Sequence, residues 1–155
     1  MRNKLLATVC ALLLAGGIAQ AGPISADKAR TEAATFLAHQ QGAGGPNRVK
    51  AVQATLKLAY SAVTKSQSQD AAYYVFNKGA QAGYVVVSGD DRTPAVLGYA
   101  DAGAFDYGQI PDNMKAFLAE YARQIDYLRA HPSMENNAKV DTYDTSVAPL
   151  LENIT

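Results

Sequence analysis

The apolar positions of this chain fall into runs of two kinds, one with helical spacing and one that alternates. Ala29, Ala33, Phe36 and Leu37 recur at helical spacing in an alanine-rich stretch, which predicts a helix over residues 26–41. Ser25 stands before it as an N-cap, and Asp27 lies in the first turn, where the helix dipole favours an acid. The breaker cluster Gly42-Ala43-Gly44-Gly45-Pro46-Asn47 stops it. Val52, Ala54, Leu56, Leu58 and Tyr60 then alternate with Gln53, Thr55, Lys57 and Ala59, the pattern of a strand with one buried face. After a polar loop over residues 64–70, the β-branched and aromatic runs 72–77 and 84–88 are close enough to form an antiparallel hairpin. Pro94 precedes a short strand from Ala95 to Tyr99.

A loop over residues 100–110 leads to Pro111 and Asp112, which open a second helix because a proline in the first turn sacrifices no hydrogen bond. Met114, Phe117, Leu118, Tyr121, Ile125 and Leu128 form one apolar stripe along it, and Pro132 ends it. Burying six such side chains is worth about 9–18 kcal/mol as an upper bound, so the stripe needs a sheet to pack on. The expected architecture is therefore α+β, an antiparallel sheet of about four strands with two main helices packed on one face. Residues 133–155 read as an extended polar tail with a short apolar segment, Val147 to Ile154.

The N-terminal segment has a different character. Arg2 and Lys4 precede an apolar run from Leu5 to Ile18, and Ala19-Gln20-Ala21 has the small-x-small form of a cleavage site. Residues 1–21 are thus expected to be an export signal, with the mature chain starting at Gly22 and working in the periplasm or outside the cell. The run is short for a membrane span, so no membrane association is expected after cleavage. The only cysteine, Cys10, leaves with the signal, which removes internal disulfides, thiolate metal sites and a thiol nucleophile. The mature chain holds 12 basic and 14 acidic side chains. That balance argues against nucleic acid, which demands a clustered positive surface, and against an anionic membrane.

Candidate chemistry is sparse. His39 and His131 each fall near a helix C-terminus, where a cation meets the negative end of the dipole, and neither has a partner at metal-ligand spacing. Asp90 and Asp91 adjoin each other in Ser88-Gly89-Asp90-Asp91; this reads as a turn in which Asp90 bonds nearby backbone N–H groups. Asp101, Asp106 and Asp112 match no calcium-loop spacing, and Gly79, Gly83 and Gly89 are followed by no helix that would make a phosphate cradle. No cofactor is expected, and an enzyme reading is weak on residue supply alone.

Three blocks carry a resemblance. One is Tyr74-Val75-Phe76-Asn77-Lys78 with the run from Gly83 to Tyr99, which includes VVVSGDDRTPAVLGY. The second is Gly103-Ala104-Phe105-Asp106 with Pro111-Asp112-Asn113-Met114 and Phe117 to Ile125. The third is Val147-Ala148-Pro149-Leu150-Leu151. Together they resemble the propeptide of the streptopain family of bacterial cysteine proteases and the stand-alone inhibitors built on the same domain. The resemblance runs from about residue 70 onward, and it implies a domain over residues 22–132 that is monomeric when free. In such proteases a catalytic domain follows the Pro-Leu-Leu segment, beginning near a Trp-Asn-Gln sequence. The present sequence holds no tryptophan and, after Ala21, no cysteine, so the inhibitory half is expected without the enzyme.

The resemblance implies a partner, a streptopain-like cysteine protease, and a mode of action, binding over its active-site cleft, with folding assistance as an additional role. In the family an asparagine in the loop leading into the long helix displaces the catalytic histidine. Its pattern falls on Asp112-Asn113-Met114 with Phe117, which nominates Asn113, with Asp112, Asp106 and Phe105 as further partner-binding candidates. The approach loop here is one residue longer and carries Pro111. Phe105 reads rather as a core anchor, and Asn113 is equally readable as a first-turn residue making a local bond. Two other readings of the whole stay open: an inert remnant of a truncated protease, and an exported binding or adhesion module that shares only the fold.

Overall fold

The computed structural model describes residues 21–42, 44–63 and 70–132. The expected signal segment apart from Ala21, and the whole of the tail over 133–155, lie outside the described residues. The elements in chain order are α1 (Ala26–Gln40), α2 (Pro46–Thr55), β1 (Leu56–Ser61), β2 (Tyr73–Lys78), β3 (Tyr84–Ser88), β4 (Val96–Ala100) and α3 (Asp112–Ala130). The strands form an antiparallel meander in the order β1-β2-β3-β4, so the α+β class and the four-stranded sheet are as expected.

The hairpin of β2 and β3 sits at the centre, with Val75 opposite Val86 and Tyr74 opposite Val87. Gly83 makes the connection possible: it has φ +96°, and a Cβ there would come within 1.9 Å of the Ala100 carbonyl oxygen. Glycine alone tolerates both.

The placement of the helices corrects the sequence reading. Tyr74, Phe76, Val85 and Val87 form one core with Ala29, Ala33, Phe36 and Leu37 of α1. Tyr73, Val75, Tyr84 and Val86 form a second core with Met114, Leu118 and Ile125 of α3. The alternate residues of the same strands thus face different helices, and α1 and α3 pack on opposite faces rather than one. The cause was present in the sequence: Tyr73 to Phe76 and Tyr84 to Val87 are unbroken apolar runs, buried at every residue, and a strand with one wet face would alternate.

The second correction concerns residues 46–55. These form helix α2, opened by Pro46, where alternation predicted strand for Val52 and Ala54. Half-buried Val49 and Val52 share one side of this helix, three residues apart, and lean on the α1 core. The strand begins only at Leu56. Its register shifts between Leu58 and Tyr60, and this bulge moves Tyr60 onto the α3 face while Leu56 stays on the α1 face.

Helix α1 begins as expected, the Ser25 hydroxyl accepting from Lys28 N at 3.3 Å. In α3 only Met114, Leu118 and Ile125 of the predicted stripe are buried. Phe117 is 49% exposed, and Tyr121 and Leu128 are half-buried.

Candidate functional site

The segment from Asp101 to Asn113 runs along the surface between β4 and α3 and is held down at a few points. Asn77, closing β2, clamps Phe105 from both sides: its Oδ1 accepts from Phe105 N at 2.8 Å and its Nδ2 donates to Phe105 O at 3.3 Å. The Phe105 ring is 4% exposed and meets Tyr84 edge-on at 5.3 Å. Phe105 is therefore a core anchor that sets the loop's height above the sheet, and its side chain is not offered to a partner. Next to it, Tyr107 stacks flat on Tyr60 with ring centroids 4.5 Å apart, and Tyr60 lies 6.0 Å from Tyr73. Burial, reinforced by Tyr107, raises the pKa of the Tyr60 phenol, and burial does the same more strongly at Tyr73.

The other nominated residues are exposed. Asp106 Oδ1 accepts from Gly108 N at 2.9 Å, closing an Asx-type turn. Asp112 is fully exposed and pairs with Lys115 at 3.5 Å. Asn113 lies in the first turn of α3 and uses Oδ1 to accept from Met114 N at 2.9 Å. Its Nδ2 makes no hydrogen bond among the described residues, so its two donors are unused by the fold. Asp106, Asp112 and Asn113 are thus exposed positions along the segment that leads into α3, whereas Phe105 is buried.

Two residues that the sequence reading left out of the site adjoin these positions in the chain or on the helix. Phe117 stands one helical turn after Asn113 on the same side of α3. It meets Tyr121 edge-on at 4.8 Å, and Tyr121 in turn donates to Leu97 O at 3.3 Å. A half-exposed phenylalanine braced from behind is a preformed apolar contact. Tyr107, next to Asp106, is 37% exposed and rests on Tyr60 of β1. Helical spacing alone put Phe117 in the core stripe; its place four residues after Asn113, the residue the resemblance nominates, was the available signal.

The far end of α3 is fixed by a buried charge network built on the SGDDR turn. Asp90 is fully buried; its Oδ1 and Oδ2 each accept from Arg92 at 2.8 Å, and Arg129 Nε lies 3.5 Å from Oδ2. Arg92 also donates to Leu128 O at 2.9 Å, and Arg129 donates to the carbonyls of Asp70, Ala71 and Gly89. Asp90 accepts from Arg92 N as well, as the turn reading expected. His131 caps α3 with Nδ1 2.8 Å from Tyr127 O. Among the described residues no group of three or more His, Cys, Asp or Glu could hold a metal ion, and no helix is long and apolar enough to cross a membrane.

Comparison with known proteins places these features in context. Residues 21–125 match the family of the Spi protease inhibitor. The thiol protease/hemagglutinin PrtT of Porphyromonas gingivalis is 32% identical over 97% of this chain, which spans 17% of that protein. Streptopain of Streptococcus pyogenes serotype M1 is 30% identical over 91% of this chain, which spans 34% of it. The chain thus spans about a third of one of these relatives and a sixth of the other. No solved structure matches it.

Proposed function

The chain belongs to the Spi protease inhibitor family, and from that premise we propose that it inhibits a streptopain-like cysteine protease by laying the Asp106–Phe117 rim over the protease's active-site cleft. The observation that carries this reading is the pairing of Asn113 and Phe117 on one exposed side of α3, an amide whose NH2 end is unused beside an apolar ring. A thiolate–imidazole centre is polar and sits in an apolar cleft, so both chemistries are wanted at once. The Asn113 amide offers donors to the polar centre, Phe117 fills the adjoining apolar surface, and Asp106 and Asp112 lie on the solvated margin.

The loop is well suited to resist becoming a substrate. Phe105 is clamped by Asn77 at both its N–H and its carbonyl, and Gln109 and Ile110 return hydrogen bonds to Asp106 O at 2.9 and 3.1 Å. A protease needs an extended, yielding segment in its cleft, and this one is tied into turns. The pre-formed shape also lowers the entropy lost on binding. The interface should be of standard size, about 1,600 Å² in total, with affinity set by these few anchors.

The test is a titration of residues 22–155 against a streptopain-type protease of the same bacterium, using a fluorogenic peptide. Inhibition at about nanomolar concentration is expected. Full turnover at micromolar concentrations of the domain would remove the inhibitor reading and leave the remnant and the binding module that shares only the fold.

A further inference from the structure

The chain's first described residues are tacked along the SGDD turn like a short extra strand. Gly22 N donates to Asp91 Oδ1 at 2.5 Å, Asp91 N donates back to Gly22 O at 3.0 Å, and Ile24 N donates to Gly89 O at 2.8 Å. Pro23 and Asp90 form an antiparallel bridge. Ile24 is buried in the α1 core, and its carbonyl accepts from the Tyr74 hydroxyl at 3.0 Å. The other Asp91 oxygen holds Lys28 of α1 at 3.0 Å. Gly22 is also the residue that follows Ala19-Gln20-Ala21, the cleavage pattern read from the sequence.

We propose that Asp91 is the receptor for the α-ammonium group that signal removal between Ala21 and Gly22 creates, so that export processing itself completes the clasp holding the N-terminus to the sheet. In the cleavage, water adds across the Ala21–Gly22 peptide bond; Ala21 keeps a carboxylate and Gly22 gains an amine, which takes up a proton at neutral pH. The atom concerned is the one already donating to Asp91 Oδ1. Cleavage therefore replaces a neutral amide donor with a full charge at a carboxylate, without moving either partner. The bond is charge-assisted from the carboxylate side before cleavage, and cleavage turns it into an ion pair charged on both sides.

The charged groups on the packed elements are consistent with this pairing. Asp90 is turned inward to Arg92 and Arg129, and Lys28 from α1 occupies Asp91 Oδ2, leaving Oδ1 for the N-terminus. Helix α1 adds the acids Asp27, in its first turn, and Glu32, and Arg92 is close enough to Asp91 for the two charges to interact. The site is partly exposed, with the Asp91 side chain at 36%, so the effect is modest and weakens with salt.

The test compares the processed protein, recovered after export and sized by mass spectrometry, with a chain beginning at Ala21, each with Asp91 and with Asp91→Asn. The processed chain should start at Gly22 and melt about 2–4 °C higher at pH 7. That gap should close in Asp91→Asn. It should also close in alkali: an amine held by a carboxylate has a raised pKa, so its contribution is complete below about pH 8, the unfolded value, and is lost as pH rises through the folded one. Acylation of the Gly22 amine at pH 7 should be at least about threefold slower than that of an unstructured peptide amine. This reading needs no folded variant. A different N-terminus, equal melting temperatures, a gap that survives Asp91→Asn, or acylation at the peptide rate would each overturn the proposal.

Discussion

At the scale of single residues, two side chains separate binding from folding. Asn113 makes one local bond, to Met114 N, and is exposed, so the fold depends on it little. Asn113→Ala should leave the melting temperature within about 2 °C while weakening inhibition about 5- to 150-fold, the range set by 1–3 kcal/mol of lost hydrogen bonding. An unchanged inhibition constant would remove Asn113 from the mechanism and leave Phe117 as the anchor to test. Asp90 is the opposite case. It is fully buried between Arg92 and Arg129, whose side chains are 8% and 6% exposed. Burial pushes its pKa up, but the hydrogen bonds and charge of Arg92, with the charge of Arg129, outweigh that and hold the carboxyl below the usual carboxylate range. Asp90→Asn strands two buried cations and should cost about 3–5 kcal/mol of stability, read by denaturant unfolding at pH 7. The lowered pKa has a definite sign. Asp90 stabilises fully above its unfolded value of about 3.9, and that stability is lost as pH falls through the folded value. The acid limb of the stability profile should flatten in Asp90→Asn.

At the scale of elements, α3 joins the rim to the core. Leu118 is fully buried, whereas its neighbour Phe117 is half exposed. Leu118→Ala should destabilise by about 2–5 kcal/mol through transfer and cavity terms, with Phe117→Ala costing under about 1 kcal/mol but weakening inhibition at least tenfold. Thermal melts beside inhibition titrations separate the two. A rise in inhibition constant for Leu118→Ala alone would put the binding surface on the wrong side of the helix. The helix itself was legible, since its stripe, its proline start and its proline stop are local signals. Which members of the stripe face solvent was not, because a stripe six residues wide exceeds what one sheet face covers, and only contact with β3 and β4 decides the remainder. The same holds for α2. Val52 to Tyr60 alternates well enough to read as one strand, and the structure divides it at Leu56; Pro46 at the first helical position, with Val49 and Val52 one turn apart, was the competing signal. The Asn77 clamp on Phe105 was not legible at all. It joins residues 28 apart, and an asparagine at a strand end reads equally as a turn former.

At the scale of the whole molecule, the sheet with a helix on each face explains why tyrosines, rather than histidines, govern the alkaline behaviour. The second core and the loop above it bury Tyr60, Tyr73, Tyr84 and Tyr121, and Tyr74 lies in the first. Burial raises the pKa of all five phenols, with Tyr60 and Tyr107 adding to it at Tyr73. Each therefore stabilises fully below the unfolded value of about 10, and that contribution is lost as pH rises through its folded value. Five such groups spread over both faces cannot ionise one at a time without charging a core. The chain should therefore hold its stability up to about pH 10 and then unfold as one unit. Absorbance at 295 nm and far-ultraviolet circular dichroism, followed together from pH 8 to 12, should give coincident midpoints for these tyrosines. A phenol titration complete before any loss of ellipticity would mean that the α3 face opens to solvent while the sheet stays intact, and would detach the rim from the rigid support on which the inhibitor reading depends.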